Sequence, residues 1–137
     1  EDGAYEELCF SPAPPSLKAL DRAGTVLYLG SASKSLAPGL RIGWVAASEP
    51  IVQRLGDVKM QTDYGASSIS QWIFAEFLSS GLYDEYLVQL RGILRERRDR
   101  ALELTWRRRP EMLKSVELDK KDRLFMQRLT ESEPAQE

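Results

Sequence analysis

Apolar positions follow two different rhythms along the chain, and the change falls near Pro50. Before it, short apolar runs alternate with turn formers; from residue 50 to 109, long stretches carry helical spacing with few glycines. Thr25-Val26-Leu27-Tyr28-Leu29, bounded by Gly24 and Gly30, is a β-rich run, and Arg41 to Ala47 (RIGWVAA) is a second. Both predict buried strands. The intervening SASKSLAPGL is too rich in Ser, Pro and Gly for a regular element, which predicts a loop or a broken helical turn. Pro12, Pro14 and Pro15 make residues 11 to 15 irregular, and a short helix follows from Ser16 to Leu20.

Ser48-Glu49-Pro50 reads as a helix start, with Ser as cap and Pro in the first turn, for a helix over residues 49 to 60 that turns Ile51, Leu55 and Val58 inward. A second helix runs from about Ser67 to Ser80, stopped by Gly81, with apolar surface at Ile69, Trp72, Ile73, Ala75 and Phe77. Trp44 and Trp72 lie within apolar periodic runs and are expected to be core aromatics. A third helix begins near Leu82. Leu87, Leu90, Leu94, Ala101 and Leu104 step by three and four, interrupted at Arg97 and Arg98, and the helix extends to Arg109. At 1.5 Å per residue it approaches about 40 Å, a length that suits a link between two lobes. After Pro110 the pattern weakens, and ESEPAQE reads as a solvated tail.

Composition narrows the chemistry. The chain has 137 residues, 42% hydrophobic and 29% charged, as expected of one soluble globular domain or a piece of one. No apolar run is long enough to span a membrane and no export signal is present, so a cytoplasmic setting is the default expectation. With 19 basic and 21 acidic residues, the net charge of -2 offers no general attraction to polyanions. The lone Cys9 excludes an internal disulfide and is read as inert. The absence of histidine excludes His-based metal sites, Ser/His/Asp triads and Cys/His dyads, and no metal site is expected. Between Tyr83 and Arg109, eight arginines stand against five acids. The acids are interleaved at helical pairing distance, which favours an ion-paired solvated face over a nucleic-acid surface.

The segment Ser31-Ala32-Ser33-Lys34 carries the chemistry that remains. A lysine on a loop at the end of a buried strand is expected to be partly desolvated, which frees its amine to act as a nucleophile in Schiff-base chemistry. Hydroxyls at Ser31 and Ser33 and the guanidinium of Arg41 are suitable donors for a phosphate. Together they suit a phosphate-bearing aldehyde. The same composition also suits a solvated turn, and composition does not choose between them.

The order of motifs does. EDGAYEEL, then LYLGSASKSLAPGLRIGW, then SISQWIFAEFLSSGLYDEYLVQLRGILRERRDRALE resembles the central part of fold-type I, pyridoxal-phosphate-dependent aminotransferases of class I/II. Within that group the likeness is to the kynurenine/aminoadipate aminotransferase-like branch and to the aminotransferase-like domain of MocR-type (GntR family) transcription regulators. It covers roughly residues 1 to 105. The resemblance implies an α/β fold: part of a pyridoxal-phosphate-dependent transferase large domain, two to three strands with helices, leading through a long helix towards a small domain. The expected boundaries are residues 1–81 for the large-domain part, 82–109 for the interdomain helix, and 110–137 for a divergent or truncated small-domain start and polar tail.

The resemblance makes Lys34 the catalytic residue, the Schiff-base lysine and proton shuttle for the cofactor, pyridoxal 5'-phosphate. It assigns Asp2 to the pyridine nitrogen, Tyr5 to the ring's phenolic oxygen, and Ser31, Ser33 and Arg41 to the phosphate. Gly39 would let the backbone turn closely beside the ring. The implied activity is amino transfer from an amino acid to a 2-oxo acid, in a full-length protein that forms a homodimer. The alternative is a cofactor- and effector-sensing domain of a MocR-type regulator, reaching DNA only through a separate domain. A second alternative is an inactive fragment without cofactor function.

The family elements expected upstream of the Asp-x-Ala-Tyr motif, and the downstream PxGG segment and carboxylate-binding arginine, have no counterpart in these residues. With its start at Glu1, the sequence therefore reads as an internal slice of a longer protein or the product of a divergent reading frame. A parallel sheet needs both faces covered, so two strands with three helices are expected to leave apolar surface exposed.

Overall fold

A computed structural model describes residues 1–132. Its first departure from the expected pattern is local. The Asp21 carboxylate accepts hydrogen bonds from the Ala23 amide (3.1 Å), the Thr25 hydroxyl (3.4 Å) and the Val26 amide (2.9 Å). This aspartate-centred turn holds residues 23–26 as a loop, and the Val26 amide above all draws the Asp21 carboxyl down to about 2. Strand β1 therefore starts late, at Tyr28–Ser31. It pairs antiparallel with β2, Gly43–Ala46, placing Tyr28 opposite Ala46 and Ser31 opposite Gly43. Along the other edge of β1, Asp2 bridges Leu29 in parallel, with Leu29 N–H donating to Glu1 and Gly3 N–H donating back to Leu29. The two named strands are thus antiparallel, and the parallel element is the short edge segment that brings Asp2 into place.

The helices follow the expected limits. Helix α1, Leu17–Leu20, is capped by Ser16, whose hydroxyl accepts from Ala19 N–H at 3.1 Å. The predicted loop after β1 contains one helical turn, α2, Ala32–Ser35, and Pro38–Leu40 forms a 3-10 turn. Helix α3 spans Glu49–Thr62; Ser48 occupies the cap position without a side-chain hydrogen bond. Helix α4, Ser68–Ser79, is capped by the Ser67 hydroxyl and ends at Gly81, whose φ of 77° is accessible to glycine at little cost. Helix α5 is unbroken over the 27 residues Leu82–Arg108. Pro110–Ser115 forms a 3-10 turn. Helix α6, Lys120–Ser132, lies where the sequence pattern is weak. Of the expected tail ESEPAQE, Glu131 and Ser132 close α6, and residues 133–137 lie outside the described residues.

Two compact units meet within α5, the first ending at Arg91 and the second starting at Gly92. The first packs Ala32, Ile42, Phe74, Tyr83 and Leu87 together, flanked by Leu8, Leu36, Leu40 and Phe77. Trp44 stacks on Phe74 with ring centroids 5.9 Å apart, and Phe74 meets Tyr83 edge-on at 5.7 Å. This core sits directly under the turn that bears Lys34.

Burial corrects several sequence expectations. All of β2 is exposed, and only Gly30 in β1 is buried. Trp72 is 70% exposed, so it is no core aromatic, and Leu55 and Val58 are exposed where an inward face was expected. An open apolar groove of about 540 Å³ runs between the strands and α3, lined by Leu29, Trp44, Val45, Val52 and Leu55. The expected exposure of apolar surface is thus present on both the strands and the helices.

In the second unit, α6 is fastened by charge. Asp122 is fully buried and receives Arg98 Nε at 2.9 Å and 3.0 Å, Arg98 Nη2 at 2.6 Å and Arg95 Nη2 at 2.7 Å. Asp119 and Asp122 form a reciprocal cap, each carboxylate accepting the other's amide, at 2.7 Å and 3.0 Å. Three arginines of α5 are ion-paired: besides Arg98 on Asp122, Arg95 also meets Asp99 and Asp119, and Arg107 meets Glu103.

Candidate functional site

Ser31 ends β1 and begins α2. Its hydroxyl oxygen accepts the Ser33 amide at 3.1 Å and lies 3.5 Å from the Ile42 carbonyl, so one side chain both caps the turn and faces the start of β2. The Ala32 amide also donates to Ile42, at 3.1 Å, while Leu36 and Ala37 amides close the turn onto Ala32. Lys34 stands on this fixed turn. Its Nζ lies 5.6 Å from the centroid of the Tyr5 ring, within cation–π range, and both side chains are exposed. The desolvation expected of a lysine at a strand end is therefore not supplied by the described residues.

Asp2 reaches the same end of the sheet through its bridge to Leu29, and its Oδ1 accepts the Ala4 amide at 3.0 Å. That bond orders the chain between Asp2 and Tyr5. Arg41 is exposed and adopts left-handed backbone angles, φ 55° and ψ 38°. A residue with a β-carbon pays about 1 kcal/mol there. The sequence reading placed the special backbone position at Gly39; the structure places it at Arg41, immediately before Ile42, which anchors both Ser31 and Ala32.

The structure thus brings Lys34 against Tyr5 and Ser31 against Ser33. Asp2 is bridged to Leu29 within β1, and Arg41 stands two residues before β2 with its amide on the Pro38 carbonyl. The primary amine of Lys34 and the hydroxyls of Ser31 and Ser33 share one turn and suit a phosphorylated pyridine aldehyde, with Asp2 and Arg41 on neighbouring segments. The residues present fit that group on one side.

Sequence reasoning missed a buried network behind the turn. Tyr83, on the first turn of α5, has its hydroxyl 2.6 Å from Ser35 Oγ and bonded to the Glu7 carboxylate. Arg91 Nε donates to the Glu7 carbonyl at 2.7 Å. Burial, then the Glu7 carboxylate, pushes the Tyr83 phenol up to about 12. Glu7 and Tyr83 are 76 residues apart, so no local spacing signals their meeting.

Residues 1–113 match the family described as Aminotransferase class I and II. The chain belongs to that family. The match takes in every class I/II site candidate from Asp2 to Arg41 and stops before α6. Among similar proteins, the uncharacterized HTH-type transcriptional regulator YisV of Bacillus subtilis is 56% identical over 103 residues, covering 74% of this chain and 21% of YisV. The HTH-type transcriptional regulator NorG of Staphylococcus aureus is 46% identical over 99 residues, 72% of this chain and 22% of NorG. Solved class I/II structures align too. The multiple substrate aminotransferase from Thermococcus profundus superposes with a TM-score of 0.70 at 37% identity, over 77% of this chain and 26% of that one. LysN, the α-aminoadipate aminotransferase from Thermus thermophilus, gives 0.69 at 36% identity, over 78% and 28%. The chain spans about a fifth of the length of these regulators.

Proposed function

We propose that this chain is the lysine-bearing part of a pyridoxal-5'-phosphate-binding, aminotransferase-like domain belonging to a MocR-type transcription regulator. The observation that carries the cofactor reading is Lys34 on a capped turn at the end of β1, against Tyr5 and beside Ser31 and Ser33. The regulator reading draws on its relatives: the HTH-type regulators are 46% and 56% identical, above the 36% and 37% of the aminotransferase structures.

In this reading Lys34 offers its amine to the cofactor aldehyde. Asp2 accepts a hydrogen bond from the pyridine nitrogen, keeping that nitrogen protonated, and Tyr5 donates to the phenolic oxygen. The phosphate takes the guanidinium of Arg41 and the hydroxyl protons of Ser31 and Ser33. Ser31 keeps capping α2 through its oxygen, and its proton, which donates to the Ile42 carbonyl at 3.5 Å, would turn from that long bond to the phosphate. When bound, the cofactor supplies an electron sink for charge released at an amino acid's Cα. The Lys34 amine would then be the group to hold or move a proton there. A sensor needs binding alone. In the full-length regulator, DNA contact belongs to a separate domain, and a homodimer in the cytoplasm completes the reading.

The second reading, an aminotransferase acting on an amino acid and a 2-oxo acid, draws on the likeness to the two aminotransferase structures. The two separate in the full-length protein: a regulator changes its DNA affinity with cofactor and amine, and an enzyme turns over a 2-oxo acid. The lysine is tested first. Addition of pyridoxal 5'-phosphate, borohydride reduction and peptide mass mapping are expected to place one label on Lys34, lost in Lys34→Ala. Labels scattered over Lys18, Lys59, Lys114 and Lys120 would remove the cofactor reading.

A further inference from the structure

Tyr83 is buried at 4% exposure, and none of the cofactor contacts above uses its hydroxyl. Ring packing against Phe74 and Phe77 accounts for an aromatic at this position, and phenylalanine would satisfy it equally. The hydroxyl is a separate feature with two partners. An ionised Glu7 carboxylate only accepts, so Tyr83 donates to Glu7 and the Ser35 hydroxyl donates to Tyr83. Ser35 is fully buried and follows Lys34 in α2. Glu7 lies two residues after Tyr5, in the 3-10 turn Glu6–Leu8, and its carbonyl is held by Arg91. One stretch of α5 therefore grips the two segments that carry the site: the Lys34 turn and the Asp2–Tyr5 segment.

A single helical turn has little stability of its own, because nucleation fixes several dihedral angles for one hydrogen bond. The four residues of α2 need an external anchor, and the anchor nearest Lys34 is Ser35 on Tyr83. We propose that Tyr83 is a positioning residue for Lys34, its hydroxyl joining Ser35 and Glu7 so that the lysine turn and the Asp2–Tyr5 segment keep a fixed relation. The proposal rests on the reading of Lys34 as the pyridoxal-phosphate lysine.

The test uses the whole chain, pyridoxal 5'-phosphate as probe, and the ratio of borohydride-trapped label on Lys34 to that on Lys18 and Lys59. Loss of one buried hydrogen-bonded hydroxyl in Tyr83→Phe is expected to lower that ratio about tenfold, with helix content unchanged. The pH midpoint of the Lys34 adduct's absorbance is expected to shift as well, which a purely structural role would not require. Ser35→Ala, a second variant that leaves the aromatic core intact, acts in the same direction. Glu7→Gln keeps an acceptor for the Tyr83 hydroxyl and is expected to hold the ratio within about twofold, whereas Glu7→Ala is not. Independently of any cofactor, amide exchange at Leu36 and Ala37, which close the turn on Ala32, is expected to speed up about tenfold in Tyr83→Phe. Unchanged exchange, or an unchanged ratio and midpoint while the native chain labels Lys34, would overturn the positioning role and leave the lysine assignment standing. Scattered labelling of the native chain would remove the lysine assignment, and the proposal with it.

Discussion

Up to Arg91 the chain is held by ring packing and a sheet with open faces, whereas from Gly92 onward a buried carboxylate under two guanidinium groups does the comparable work. The first unit leaves Leu29, Val45, Ile69 and Trp72 in solvent. The segment spans 21% of YisV. The second unit buries Leu102 and anchors α6 through Asp122. Apolar burial depends on how much neighbouring chain is present, because its free energy scales with area removed from water. A charge-capped helix depends on a few short contacts that a small segment can supply. The match to the family ends at residue 113, so the charge-fastened helix lies wholly in the part that the family does not describe.

The contrast is broken most severely at Asp122. Asp122→Asn leaves two arginines without their shared carboxylate and is expected to cost the second unit about 3 kcal/mol, since one partner of a buried ion network is removed. Amide exchange should accelerate across α6 while Leu36 and Ala37 keep their protection. Next is Gly30→Ala. A β-carbon there would run into the Trp44 indole that stacks on Phe74, so the ring must shift, at an expected cost of about 2 kcal/mol to the first unit in urea titration.

Acid tests the anchor of α6, and it reaches the Asp21 turn of the first unit over the same range. The hydrogen bond from Arg98 holds the Asp122 carboxyl at about 2, below its ordinary 3.8. A depressed carboxylate contributes stability that is complete above the ordinary value and is lost as pH falls towards the folded one. Ellipticity from α6 should therefore decline between pH 4 and pH 2, as the second unit loses its anchor. The smallest effect is expected at Arg107→Ala, whose pairing with Glu103 is half exposed, at no more than about 0.5 kcal/mol in the same titration.

Much of the candidate site could be proposed from sequence because its residues are close together along the chain. Ser31, Ser33, Lys34 and Arg41 fall within one strand–turn–strand segment, and the family match over residues 1–113 includes them. The network of Glu7, Ser35, Tyr83 and Arg91 was not legible, since each residue alone is an ordinary polar position in its own element. Helix α6 carried a signal that went unused: Asp119 and Asp122 stand three residues apart as a capping pair, followed by Phe125, Met126 and Leu129 at helical spacing.

What the amino-acid order determined by itself is whatever contacts within a few residues can decide. Ser67 and Gly81 set the limits of α4, the long helical spacing from Leu82 made α5, and Ser31 caps the turn on which Lys34 stands. Tertiary structure alone decided which apolar residues are covered. It also carried Tyr83 to Glu7 across 76 residues and laid Asp122 beneath Arg98. Caps and turns close rings of a few bonds, so local order specifies them, whereas burial and long-range hydrogen bonds depend on which distant segments share the same space.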